Sequence, residues 1–198
     1  MNTPLSSLVT VQAGHPFRGT VVPSEGGNAL ALQMRDVALD SGIQWKNVVR
    51  TRIEPGKNTQ WLQPADVVFV ARGARNHAVC LQDVPERAVC SQYFFLLRIK
   101  SSTLLAAFLA WQINRAPAQR YLASNAEGTD QRSIRRAVLE ALPIVVPPIH
   151  QQQLIVAFAE AQVQERRHLE ALIRNRQRQL DALAFDLFAH ATPALREP

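Results

Sequence analysis

Cysteine is almost absent from this chain of 198 residues, lysine is nearly so, and long apolar runs are missing altogether. Cys80 and Cys90 are the only cysteines. Two thiols are too few for a disulfide framework or a structural zinc site, and His77 nearby completes no ligand spacing. No stretch reaches the roughly 18–20 apolar residues that a membrane span requires. The N-terminus lacks a basic patch followed by an apolar segment. Together these absences point to a reducing, cytoplasmic setting without membrane, metal or cofactor. Clustered chemistry is missing too. No G-x-G-x-x-G opens a strand–helix unit, and His15, His77, His150, His168 and His190 have no serine, cysteine or carboxylate at triad-like spacing. Asp36 and Asp66 sit at strand ends, where capping a turn is their ordinary role. No catalytic residue is assigned.

What remains is cationic and dominated by arginine. The formal charge is +6, and arginine outnumbers lysine nineteen to three. Residues 151–198 hold six arginines and six acids, so the whole excess lies in residues 1–150. A guanidinium fork suits phosphate and the guanine edge. A basic domain beside a neutral segment fits a polyanionic partner.

The boundary between the two is Leu142-Pro143-Ile144-Val145-Val146-Pro147-Pro148. This apolar run ends in a double proline, which cannot continue a sheet ladder but suits a helix entry. Before it, short apolar segments alternate with turn signals: Leu8–Val11, Thr20–Val22, Ala29–Met34, Val67–Ala71, Ala78–Leu81 and Tyr93–Ile99. They predict a curved, mostly β domain over residues 1–148. Ser101-Ser102-Thr103 offers an N-cap to a packed helix bearing Leu104, Leu105, Phe108, Leu109 and Trp111, which Pro117 bends or ends. Trp45, Trp61 and Trp111 are expected in the core. The fold class is therefore α+β, followed by a long C-terminal helix.

That helix is expected over residues 149–190, with a tail at 191–198, because no glycine or proline interrupts it. At 1.5 Å per residue it would reach roughly 60 Å. Ile155, Ala159, Gln162, Arg166, Leu169, Ile173, Arg176, Leu180, Leu183 and Leu187 alternate steps of four and three, a heptad seam with polar interruptions at Gln162, Arg166 and Arg176. A helix this long outruns a domain of this size, so a coiled coil with a second copy is favoured over folding back. The dimerisation residues are then Ile155, Ala159, Leu169, Ile173, Leu180, Leu183 and Leu187. Phe158, Leu172, Phe185 and Phe188 lie off the seam, available to methyltransferase subunits or to the dimer's own domain-packing contacts.

With hinge and arm in view, the chain resembles the specificity (S) subunits of type I restriction–modification systems. Val9-Thr10-Val11-Gln12-Ala13-Gly14 is similar to the family's opening strand and glycine turn. Gln33-Met34-Arg35-Asp36-Val37 and Leu62–Gly73 resemble two internal segments, Gly128-Thr129 a glycine loop, and Leu142–Pro148 with Gln152 and Ile155 the signature before the spacer. Gln151 stands where the family usually has Glu, and Ala65 where Gly is common before Asp66. The resemblance covers about half of such a subunit, one target-recognition domain and one helical spacer. It implies a non-catalytic protein that reads one half of a bipartite DNA site and holds methyltransferase and nuclease subunits. An antiparallel homodimer would then read an inverted repeat. The competing class is a coiled-coil adaptor, or a truncated remnant, that does not read DNA.

The resemblance carries across no base-contacting residue, so these come from loop chemistry. The candidates are Arg18, Arg50, Arg52, Lys57, Asn58, Arg72, Arg75, Asn76, Gln131 and Arg132. Arginine pairs with guanine, and Asn or Gln with adenine. Arg72 and Arg75 rank first, since they flank a glycine directly after a buried strand.

Overall fold

A computed structural model describes residues 2–39, 42–56, 59–128 and 132–191. The first half of the domain contains β1 (Asn2–Pro4), α1 (Leu5–Leu8), β2 (Val9–Ala13), β3 (Ala29–Leu32), β4 (Val37–Ala38), β5 (Gly42–Ile43) and β6 (Val49–Thr51). The second half adds β7 (Val67–Val70), β8 (Arg72–Gly73), β9 (Ala78–Cys80), β10 (Ala88–Cys90), β11 (Phe94–Ile99), α2 (Ala106–Ile113) and α3 (Ala116–Ser124). Then follow β12 (Arg132–Ser133), α4 (Arg136–Glu140), β13 (Pro143–Val145) and α5 (Ile149–Ala191). Single-turn 3-10 helices occupy Met34–Asp36 and Trp45–Asn47. The fold is α+β, as the sequence reading expects.

A four-stranded antiparallel sheet, ordered β2-β11-β7-β9, forms the middle layer. Its inner strand β7 is apolar without interruption because both of its faces are covered. Along β7, Val67 and Phe69 point to one core, and Val68 and Val70 to another. The first core takes Leu5 and Leu8 of α1, Phe108, Leu109 and Ile113 of α2, Leu122 of α3 and Leu139 of α4. The second is closed by the three-stranded sheet β10-β3-β6, through Leu30, Leu32, Ala88 and Cys90. β10 pairs with β3 in parallel, and all four residues of β3 are buried. Burial pushes the Cys90 thiol up to about 12, which leaves it a packing residue.

Carboxamide side chains close backbone edges in four places. Asn114 accepts from the Ala78 amide and donates to its carbonyl, at 2.9 and 2.7 Å, on the open edge of β9. Gln112 does the same to Val145, Asn28 to Ile53, and Gln92 to Phe17. Each amide satisfies a donor and an acceptor that a neighbouring strand would otherwise take.

Three expectations change. Thr20–Val22 is not a strand, because Val22 accepts from the Thr51 hydroxyl instead of joining a ladder. Ser101–Thr103 form a turn rather than an N-cap, and α2 starts later with Leu105 at its cap position. Pro117 neither bends nor ends α2; it sits in the first turn of α3, where its missing N–H costs nothing. The tryptophans are half-buried against the cores, and Arg87 and Arg115 lie over Trp61 and Trp111.

α5 starts directly after Pro147-Pro148, whose carbonyl at Pro148 accepts from the Gln151 and Gln152 amides. The chain divides into two compact units, one up to Val156 and one from Ala157. Gln152 is 0% exposed. Its Oε1 accepts from the Leu105 amide at 2.9 Å, and its Nε2 donates to the Thr103 and Pro147 carbonyls, both at 2.7 Å. This one side chain thus caps α2 and seats the first turn of α5. Ile155 packs half-buried on the helix-side core of its own domain. No helix among the described residues is long and apolar enough to cross a membrane.

Candidate nucleic-acid interface

The buried strand β7 ends at Val70, and from Ala71 the chain turns outward into β8. Ala71 is fixed on both sides, donating to the Tyr93 carbonyl and accepting from the Ile134 amide, each at 2.9 Å. β8 pairs antiparallel with β12, setting Gly73 opposite Arg132 and Arg72 opposite Ser133. Two segments distant in sequence therefore meet as one short ribbon, and both its arginines are exposed. Gly73 adopts φ +135°, a conformation glycine alone takes readily. Arg75 is also exposed, on the loop that returns to β9.

The ion pairs sort the arginines. Arg98 grips Asp66 with two hydrogen bonds of 2.8 Å and donates to the Trp61 carbonyl. Asp66 is 2% exposed, so this pair serves the fold. Arg135 pairs with Glu127 and Arg136 with Glu140. Arg50 is held by Glu86 at 2.5 Å and by the Gly27 carbonyl. Arg18, Arg52, Arg72, Arg75 and Arg132 form no ion pair among the described residues.

Of the candidate site residues, Arg72, Arg75 and Arg132 come together on the ribbon and its loop. Arg18 lies beside Phe17, and Arg52 follows β6. Asn76 is 8% exposed and donates to the Val70 carbonyl at 3.0 Å, so it closes the loop from inside rather than facing a groove. Lys57, Asn58 and Gln131 lie outside the described residues. His77 is held below its usual range, chiefly by burial, with the Arg75 charge acting the same way and backbone hydrogen bonds opposing both.

Sequence reasoning missed the cleft that adjoins the ribbon. It encloses about 560 Å³, and its lining includes Phe17, Gln33, Met34, Arg35, Ser91 and Tyr93. A Cβ on Gly73 would stand 3.6 Å from Met34 Sδ, so ribbon and cleft share a border. The available signal is a repeated Gln-x-x-Asp turn. In Gln33–Asp36 and Gln63–Asp66 alike, the aspartate Oδ2 accepts from the glutamine amide, at 2.9 and 2.8 Å. The first turn shapes the cleft and the second precedes β7.

On the arm, Ala159 is half-buried, while Leu169, Ile173, Leu180, Leu183 and Leu187 are 54–71% exposed. Phe158, Leu172, Phe185 and Phe188 are exposed as well.

The fold is similar to that of several solved proteins. The S subunit of a type I restriction–modification system from M. genitalium is 16% identical, with a TM-score of 0.62 over 96% of this chain and 46% of that one. The HsdS subunit from Thermoanaerobacter tengcongensis is 17% identical, with a TM-score of 0.60 over 84% and 37%. A chain from a study of assembly and conformational transition of the type I R-M system gives 16% and 0.61 over 94% and 43%. This chain spans less than half the length of each. No curated protein matches its sequence. The family model described as the type I restriction modification DNA specificity domain matches residues 41–175, which include β7, the ribbon and most of α5. With that match over more than half its length, the chain belongs to the type I restriction modification DNA specificity domain family.

Proposed function

We propose that this chain is the sequence-reading subunit of a type I restriction–modification complex, one copy binding half of a bipartite DNA site. It does no chemistry itself and works in the cytoplasm, where it holds methyltransferase and nuclease subunits to DNA. The observation that carries this reading is the convergence of Arg72, Arg75 and Arg132, exposed and without acidic partners among the described residues, on an anchored ribbon. Duplex DNA should therefore bind with a steep salt dependence. Replacing Arg72 and Arg132 by Ala should reduce the slope of log K against log salt by roughly 2, one per lost phosphate contact. A salt-independent or absent affinity for duplex DNA would instead fit an adaptor or a remnant.

Two copies are proposed to pair antiparallel through α5. The seam spacing supports this, because it reads the same in both directions about Ala171. Leu169 then lies opposite Ile173, Gln162 opposite Leu180 and Ala159 opposite Leu183. One domain at each end presents the same ribbon in opposite orientation, which suits an inverted repeat. Sedimentation of the full chain should give a dimer at micromolar concentration, and Leu169→Glu with Ile173→Glu a monomer. A wild-type monomer at tens of micromolar overturns the pairing. The exposed Phe158, Leu172 and Phe185 are proposed contacts for methyltransferase subunits or for the dimer's own domain packing.

A further inference from the structure

The cleft beside the ribbon contains polar groups that have no partner among the described residues. Ser91 is 2% exposed, and its Oγ has no hydrogen-bond partner; nor has the buried Nε2 of Gln33. Both residues border the cleft. Unpaired buried groups are rare in folded proteins, because each forfeits the hydrogen bond it had in water. Their neighbour Gln92 binds the Phe17 backbone through both ends of its amide, while these two groups lie buried and unpaired in the cleft wall. The remaining lining is suited to a flat ring: Phe17, Tyr93 and the Met34 thioether offer apolar and aromatic surface. Arg35 stands at the mouth with its side chain 67% exposed, held to Asp36 only at 3.8 Å.

We infer that this cleft is a base-reading slot. A DNA base adjoining the ribbon enters against Met34, Phe17 and Tyr93. The Gln33 amide donates to an acceptor on its edge, and the Ser91 hydroxyl donates or accepts beside it. Arg35 anchors the phosphate of the same nucleotide. Gln33 and Ser91 are thus specificity-determining, whereas Arg72, Arg75 and Arg132 chiefly hold the backbone. Continuity of surface supports the assignment, since Met34 borders Gly73 and the Tyr93 carbonyl binds the foot of the ribbon. The inference rests on the DNA-reading function proposed above and names the part of the site that discriminates.

The test is selection of duplexes from a randomised DNA pool by the full chain and by its Ser91→Ala, Gln33→Leu and Arg35→Ala variants, with thermal unfolding of each. The wild type should enrich a motif. Ser91→Ala and Gln33→Leu should lose discrimination at one position by roughly 10- to 100-fold, the effect of one hydrogen-bonded base contact, while affinity for random DNA holds. Arg35→Ala should weaken binding to all sequences alike and lower the salt slope by about 1. Ser91→Ala removes an unpaired hydroxyl, so its melting temperature should stay the same or rise. A fall in that temperature with the motif intact makes the hydroxyl a structural group and overturns the slot. An unchanged motif in both Ser91→Ala and Gln33→Leu also overturns it, leaving DNA reading itself in place. A wild type that enriches nothing removes both readings.

Discussion

Gln152→Ala probes the joint between domain and arm. The amide makes three hydrogen bonds inside the protein, to Leu105, Thr103 and Pro147. At a net contribution of about 1 kcal/mol each, their loss costs about 3 kcal/mol. The buried methylene adds about 0.8 kcal/mol, for a total near 4 kcal/mol. For a domain of this size the midpoint of thermal unfolding should fall by roughly 8–16 °C. Gln152→Met isolates the polar part, since it restores volume without donor or acceptor and should recover only about 1 kcal/mol. Gln152→Glu keeps an acceptor for Leu105 but turns a carboxylate towards two carbonyls. Burial raises the pKa of such a carboxyl, so the variant should be more stable in acid and lose stability as pH rises through that raised value. Calorimetry or urea unfolding read at the domain transition measures all three. A loss below about 1 kcal/mol for Gln152→Ala would refute the reasoning: packing by Ile155 and Val156, not the amide, would then hold the joint.

Ala65 adopts φ 65°, where an L residue is strained by about 1–2 kcal/mol. Ala65→Gly should therefore raise stability by up to about 1 kcal/mol in urea unfolding, after the extra chain entropy of glycine is subtracted. A Cβ at Gly14 would come impossibly close to the Ser91 carbonyl, so Gly14→Ala should displace the strand and destabilise the domain by about 2 kcal/mol or more, seen as a lower unfolding midpoint. In the proposed dimer Arg166 lies opposite Arg176. Replacing both by Leu should tighten dimerisation at least tenfold in sedimentation, at some cost in register. His77 and His15 are both lowered by burial from 6.5, so they stay neutral in the fold while the unfolded chain takes up protons. Stability should be full above pH 6.5 and fall as pH drops through the lowered values, and His77→Gln should flatten that slope in acid titration.

The layers were legible in the sequence where burial is uniform. Val67–Val70 is apolar at every position because the middle sheet is covered on both faces, and the strand was read directly. β10 was missed, although Ala88-Val89-Cys90 is wholly buried, because three residues give no period to detect. Carboxamides were the main blind spot. Asn76, Asn114 and Gln112 have the composition of surface loops, yet each binds backbone within the fold. Arg98 and Arg72 likewise look alike in sequence. Only Asp66, brought alongside Arg98 by the pairing of β7 with β11, separates the structural guanidinium from the exposed one. The cleft could not be read in advance, because its walls come from three separate segments.

Because β8 and β12 form a single ribbon, the two loops it joins are not independent modules. Recombination that imports a new loop around Arg72 without its mate around Arg132 would leave mismatched backbone edges and a misplaced guanidinium. New specificities in this lineage should therefore arise by exchange of the whole domain, or by paired changes in both segments, and hybrids crossing over between them should be poor binders.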